Sequence, residues 1–403
     1  MERNVPKLRF KGFNDEWQLS NLKKLCDINP KSKELPDKFV YIDLESIIDG
    51  VLIKKNIIEL KDAPSRAQRL LNVGDVLFQT VRPYQMNNYL FEYELNYKSV
   101  ASTGYAQLRC KNCISNNKFI YQALHNKKFN NKVMLRCTGT SYPAINSSEL
   151  VTIPLRIPSL QEQERIANFL TKVDKIIEKQ EEKVKNLENY KKGMMQKIFS
   201  QEIRFKDENG NEYPEWQKMK LKDVANRFEY GMNSASTEFD GKNKYIRITD
   251  IDENTYKYKN DNIVSPEGVL EDKYLVNEND ILFTRTGASV GKTYLYDKND
   301  GRLYFAGFLI RVNVNEDNNS RFIFLQTQTN EYKRWVKIMS MRSGQPGINS
   351  QEYGMYNVNI PCIDEQNKIA NVFEKIDSII QKENDKNKKL HEFKKGLLQQ
   401  MFA

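Results

Sequence analysis

The feature that most constrains this chain is that it is written twice. Short strings from the first half return in the second in the same order, with a period near half of the 403 residues. LRF at 8–10 returns as IRF at 203–205, and EWQ around Trp17 returns around Trp216. YIDLESI at 41–47 returns as YIRITDI at 245–251, GDVLF at 74–78 as NDILF at 279–283, and PAINS at 143–147 as PGINS at 346–350. The match is tightest in IPSLQEQERIANFLTKVDKII at 157–177 against IPCIDEQNKIANVFEKIDSII at 360–380, and it runs without insertion to the end, where NYKKGMMQKIFS meets EFKKGLLQQMFA. Between these anchors the halves diverge. A repeat of this kind means one structural unit built twice, here a variable module followed by a nearly invariant tail.

Each tail has the pattern of a long helix. Ile166, Leu170, Val173, Ile177, Val184, Leu187, Met194 and Ile198 step by three and four, and Ile369, Phe373, Ile376, Ile380, Leu390, Leu397 and Met401 repeat the stripe. That spacing makes a heptad seam. Pro158 and Pro361 precede the stripes, where a helix can begin without losing an internal bond. Polar residues interrupt both seams at equivalent places, Gln180 with Glu383 and Lys191 with Lys394. Such interruptions cost stability but select register and partner. Each stripe runs about 33 residues, or ~50 Å of helix, longer than most globular helices.

The modules read as mixed α/β. Apolar and β-branched runs, such as those at 76–78, 245–248, 281–283 and 309–312, lie between Gly, Asn and Asp turns. Short helices are expected near 119–123 and 321–326. The organisation expected is a first variable module at 1–156, a helical region at 157–200, a second module at 201–359 and a helical region at 360–403. A chain of this length is large enough for two to four domains, each with its own core.

Composition narrows the function classes. Charged residues at 29% against 39% hydrophobic mark a globular protein. No stretch approaches the ~18 apolar residues of a membrane span, and the first residues lack the apolar core of a secretory signal, so no membrane partner and a cytoplasmic location are expected. A net charge of +10 favours polyanions, although a Lys- and Asn-rich composition alone could produce it. Five cysteines at irregular spacing suit a reducing compartment. Cys110 and Cys113 form a CxxC with His125 and Cys137 downstream; a zinc site is one reading, incidental thiols the plainer one.

Two loop pairs carry the chemistry. GASVGKT at 287–293 has three residues between its first Gly and Gly-Lys, one fewer than a phosphate-cradling P-loop needs. Arg285, Thr286, Ser289 and Lys292 there suit a DNA phosphate better. The corresponding stretch of the first module, QTVRPYQMNN at 79–88, offers Arg82, Tyr84, Gln85 and Asn87. Arg can fork onto guanine, and Gln or Asn onto adenine. A second pair precedes the helices: Arg136, Thr138, Ser141 and Tyr142 in one module, Arg342, Ser343 and Gln345 in the other. Frames are shared and interiors differ, as two readers of two sequences require. No adenine-methylation motif, methyl-donor loop, full P-loop, nuclease carboxylate pair or Ser/His/Asp set is evident, so no catalysis is expected.

Two variable modules alternating with two tails that open on IP…EQ..IA resemble the specificity subunit of Type I restriction–modification enzymes. The carrying residues are Ile157, Pro158, Glu162, Gln163, Ile166, Ala167, Leu170 and Asp174, with Ile360, Pro361, Glu365, Gln366, Ile369, Ala370, Phe373 and Asp377. The first module departs from the family's R-G---GK string. The resemblance implies two target-recognition domains and an antiparallel coiled coil of the two long helices, with an internal pseudo-two-fold. It also implies half of a bipartite DNA site per domain, two modification subunits, and restriction/translocase subunits. S-adenosylmethionine, ATP and Mg would belong to those partners. The rival reading is a coiled-coil scaffold with two protein- or carbohydrate-binding modules.

Overall fold

The computed structural model describes residues 5–32, 34–342 and 344–402. They form two compact units, Met1–Glu182 with Asn384–Ala403, and Lys183–Glu383.

In the first unit, Cys26–Ile28, Tyr105–Cys110, Val76–Gln79 and Tyr89–Leu90 lie side by side in that order as an antiparallel sheet. A second sheet orders Asn56–Glu59, Lys38–Ile42, Ser99–Ser102 and Ala67–Leu70, and its middle pair is parallel. A parallel pair needs a long crossover, and the residues between these two strands supply it. In the second unit the antiparallel sheet returns as Ala225–Tyr230, Leu309–Val314, Asp280–Thr284 and Thr293–Leu295. The parallel pair returns as Lys244–Ile246 with Leu303–Phe305.

Side-chain alternation explains the apolar runs. Val76 and Phe78 enter one core cluster while Leu77 enters another, and Ile281 and Phe283 are divided from Leu282 in the same way. A strand buried on both faces reads as a continuous apolar run. The expected short helices are present as Asn117–Leu124 and Ser320–Gln326, each capped by an Asn side chain that accepts from the backbone two residues into the helix.

A two-stranded ribbon closes each module just before its tail, Gln18–Asn21 with Pro154–Ile157 and Gln217–Lys220 with Asn357–Ile360. The tails are the helices Leu160–Phe199 and Ile363–Met401, 40 and 39 residues long, or about 60 Å each. Within the first unit Asp174 pairs with Lys394 and Glu181 with His391; within the second, Lys183 pairs with Glu383 and Lys191 with Asp377. One number rises as the other falls, so the helices run antiparallel in both units. No described helix is long and apolar enough to cross a membrane.

Each core is finished by the far end of a tail. Ile166, Leu170, Val173 and Ile177 share a cluster with Trp17, Phe119, Leu397, Met401 and Phe402. Met195 and Ile198 share one with Phe322, Ile369 and Phe373. The arm entering each module bonds to the same turn of such a helix end, Leu8 N–H donating to the Gln400 carbonyl and Ile203 N–H to that of Lys197.

The arms also carry a fork. Arg9 donates through Nε and Nη2 to the two oxygens of Glu162 at 2.7 and 2.8 Å, and Trp17 Nε1 adds a third donor at 3.4 Å. Arg204 and Trp216 repeat this on Glu365 at 3.3, 2.9 and 3.0 Å. The two carboxylates are 1% and 0% exposed, so they depend wholly on these donors.

Glu365→Ala removes the buried carboxylate that Arg204 and Trp216 share, leaving Arg204 only the exposed Glu215 and two backbone carbonyls, and is expected to cost about 3 kcal/mol, read as a lower denaturant midpoint of the second unit. Ile177→Asp places a charge in an apolar seam and is expected to lower the midpoint of the first unit by several kcal/mol equivalent. Unchanged midpoints would contradict the packing described.

Candidate nucleic-acid interface

The central strand of each antiparallel sheet runs out into the first candidate loop, and the second loop is stitched to it. In the first module Val81 and Ala144 form an isolated antiparallel bridge. Ile145 N–H donates to the Thr80 carbonyl at 2.9 Å and Arg82 N–H to that of Pro143 at 2.7 Å. The second module repeats the stitch: Thr286 bridges Gly347, Ile348 N–H donates to the Arg285 carbonyl at 2.9 Å and Gly287 N–H to that of Pro346 at 2.9 Å.

This stitch aligns Thr80 with Arg285 and Arg82 with Gly287. Arg82 and Gly287 both take left-handed backbone, φ 54° and 72°. A non-glycine residue there carries a cost of roughly 1–2 kcal/mol. Arg82 is therefore held in a conformation for which the second module uses glycine.

The structure brings several of the sequence-derived candidates together. Arg82 lies with its guanidinium 4.6 Å from the centre of the exposed Tyr142 ring. Gln85 is exposed and its Oε1 accepts from Gln79 Nε2 at 2.8 Å. Tyr84 and Ser141 are exposed, and Thr138 exchanges both backbone bonds with Ala144. Asn87 is a brace: its Oδ1 accepts from Asp49 N–H and its own N–H donates to Gln79 Oε1. Arg136 is tied to Thr152 Oγ1 at 2.7 Å.

In the second module Arg285 lies 4.7 Å from the centre of the Tyr230 ring. Burial raises the Tyr230 pKa, but the bonds it accepts from Ser350 and the charge of Arg285 outweigh this and bring it below the ordinary value. Thr286 is in the stitch, Ser289 accepts from Thr284 Oγ1, and Gln345 is exposed beside Gly287. Lys292 is paired with Glu253 at 2.6 Å, and Arg342 with Glu352. Ser343 lies outside the described residues.

GASVGKT is a hairpin, since Asp280–Thr284 pairs antiparallel with Thr293–Leu295 across it. A P-loop opens a helix, and here the chain opens a strand. Around the CxxC, Cys110 Sγ lies 3.7 Å from Cys26 Sγ on the neighbouring strand. Among the described residues no group of three or more His, Cys, Asp or Glu could hold a metal ion.

The Type I restriction modification DNA specificity domain matches residues 14–189 and 213–392, once in each half. The chain belongs to this family. A specificity subunit of Type I restriction enzyme MjaVIII from Methanocaldococcus jannaschii is 23% identical over 379 residues, covering 91% of this chain and 85% of the relative. The S subunit of the Type I system from M. genitalium superposes with a TM-score of 0.60 at 17% identity, covering 99% of both chains. A chain from a structure of type I R-M complex assembly and conformational transition gives 0.57 at 18%, covering 96% of this chain and 98% of its own. At these identities the structural likeness carries the fold. Two sheet-containing recognition domains with two long antiparallel helices are what the resemblance implied, and the chain is a DNA-recognising specificity subunit rather than a scaffold for other ligands.

Sequence reasoning missed Tyr230, because a lone tyrosine at a strand end carries no signal until the fold sets it beside Arg285. Gly287→Ala is expected to cost about 1–2 kcal/mol, from its left-handed φ, measured as a lower thermal midpoint of the second unit. No change would mean that the loop relaxes freely.

Proposed function

We propose that each module of this specificity subunit reads one half of an asymmetric bipartite DNA target, while the long helices set the unread gap and dock the partner subunits. The observation that carries this reading is the pair of stitched loops. Their backbone bonds are the same in both modules, and the side chains they present differ. A common frame with different donors and acceptors is what two base sequences require. The net charge of +10 adds the sequence-independent attraction to phosphate. The chain itself is non-catalytic. Two modification subunits supply the S-adenosylmethionine site and adenine methylation, and restriction/translocase subunits supply ATP- and Mg-dependent cleavage. The loop residues that contact DNA are drawn from the candidates described above, with Lys292 and Arg342 reaching phosphate by exchanging their carboxylate partners.

Exchanging residues 205–355 for the matching module of another specificity subunit is expected to change one half of the methylated motif and leave the other half intact. Mapping methylated adenines across the genome of cells carrying the hybrid reads this directly; a change in both halves, or in neither, overturns the division of labour. Reconstitution with the modification subunit is expected to give two copies per chain by mass, with methyl transfer only in the mixture. A one-to-one complex, or transfer by this chain alone, would contradict it.

A further inference from the structure

The basic residues of the four loops are not equivalent in the structure. Arg136 spends its guanidinium on Thr152, Lys292 its ammonium on Glu253, and Arg342 its fork on Glu352. Arg82 and Arg285 differ. Among the described residues neither guanidinium has a hydrogen-bond or ion-pair partner, and each lies against a tyrosine ring instead, at 4.6 and 4.7 Å. A guanidinium on an aromatic face is held by cation–π attraction and stacking. Its N–H donors point outward in the plane of the group and stay unspent.

The duplication does not account for this likeness. Arg82 stands at the position of Gly287, and Arg285 at that of Thr80. The rings come from different elements, Tyr142 from the second loop and Tyr230 from the strand Ala225–Tyr230. Two non-equivalent constructions therefore arrive at one object, an arginine stacked on tyrosine at the stitched loops. Both arginines are also fixed through their backbones. Arg82 N–H donates to Pro143, while Arg285 N–H donates to Phe308 and its carbonyl accepts from Ile348. Tyr230 is fixed in turn by Ser350, whose N–H and Oγ both donate to its phenol oxygen at 3.2 and 3.1 Å.

Resting on the DNA-reading function above, we infer that Arg82 and Arg285 are the guanine readers of the two modules, each donating two parallel bonds to O6 and N7 of a guanine, and that Tyr142 and Tyr230 are positioning residues that hold the fork edge-on to the base. The chemistry matches: a planar fork with unspent donors, held rigid before binding, fits the paired acceptors of guanine and loses little rotamer freedom on contact. Each half-site should then contain a guanine.

The test is selection of the preferred duplex from random sequences by the full chain, wild type and variants. Arg285→Ala is expected to relax one guanine in one half-site, with discrimination falling roughly 5- to 150-fold, and to leave the other half unchanged. Arg82→Ala does the same in the opposite half. Replacing that guanine by 7-deazaguanine, which lacks the N7 acceptor, weakens wild-type binding but not that of the Arg285→Ala chain. Tyr230→Leu reproduces the relaxation while affinity for non-specific duplex stays level, and Tyr230→Phe, which keeps the ring, restores the preference. Uniform weakening on all sequences would make Arg285 a phosphate contact and overturn the inference, as would an unchanged motif. Relaxation in Tyr230→Phe equal to that in Tyr230→Leu would overturn the positioning role. If the wild-type chain selects no motif, the proposed function fails first and takes this inference with it.

Discussion

A buried carboxylate at the foot of each long helix is the joint on which the architecture depends. Glu162 and Glu365 are charged groups removed from water, and such a group is tolerable only when its lone pairs are taken by strong donors. The arm before each module supplies an arginine fork and the module's first strand region supplies an indole N–H. The next residue extends the joint. Gln163 accepts from Asn116 N–H and donates to the carbonyls of Ile114 and Pro158; Gln366 accepts from Asn319 N–H and donates to Asn318 Oδ1 and the Pro361 carbonyl. Two consecutive side chains thus fasten arm, tail and module helix to one point. The loops can then vary without loosening the frame that aims them.

A second set of polar groups specifies which turns of the two helices meet. An all-apolar seam tolerates sliding, whereas a lysine in the seam is satisfied only where an acid faces it. Lys394 finds Asp174 and Lys191 finds Asp377, both at 2.7 Å and both partly screened from solvent. These acids also hold the modules: Gln122 donates to Asp174 at 2.6 Å and Arg321 lies 3.6 Å from Asp377. Register and module attachment are therefore coupled through the same carboxylate, which makes a one-turn slip costly at two places at once.

The candidate site was legible only in part, and the reason is geometric. That loops 79–88 and 285–292 correspond could be read from the strands before them, and so could the chemical suitability of Arg82, Gln85 and Arg285. Which of these side chains are uncommitted could not. Asn87 has a residue type suited to adenine, yet its amide braces Asp49; Lys292 looks like a phosphate ligand, yet it meets Glu253 from a distant loop. Such partners lie far apart in sequence, and their pairing exists only once the sheets have formed. Tyr230 was invisible for the same reason.

The sequence by itself determined the duplication, the modular order, the periods of strand and helix, and the positions where polar residues break the seam. These follow from local repetition and from the 2.0- and 3.6-residue spacings that set which side chains share a face. It also marked the residues of the joint, since LRF, EWQ and the EQ of the tails recur as separate strings. Only the tertiary structure decided that these strings are one cluster, that the last turns of the C-terminal helix complete the first core and those of the central helix the second, and that two non-equivalent arginines come to rest on tyrosines. Each of these is a contact between segments whose separation along the chain carries no information about their distance in space, and packing and charge pairing select them together.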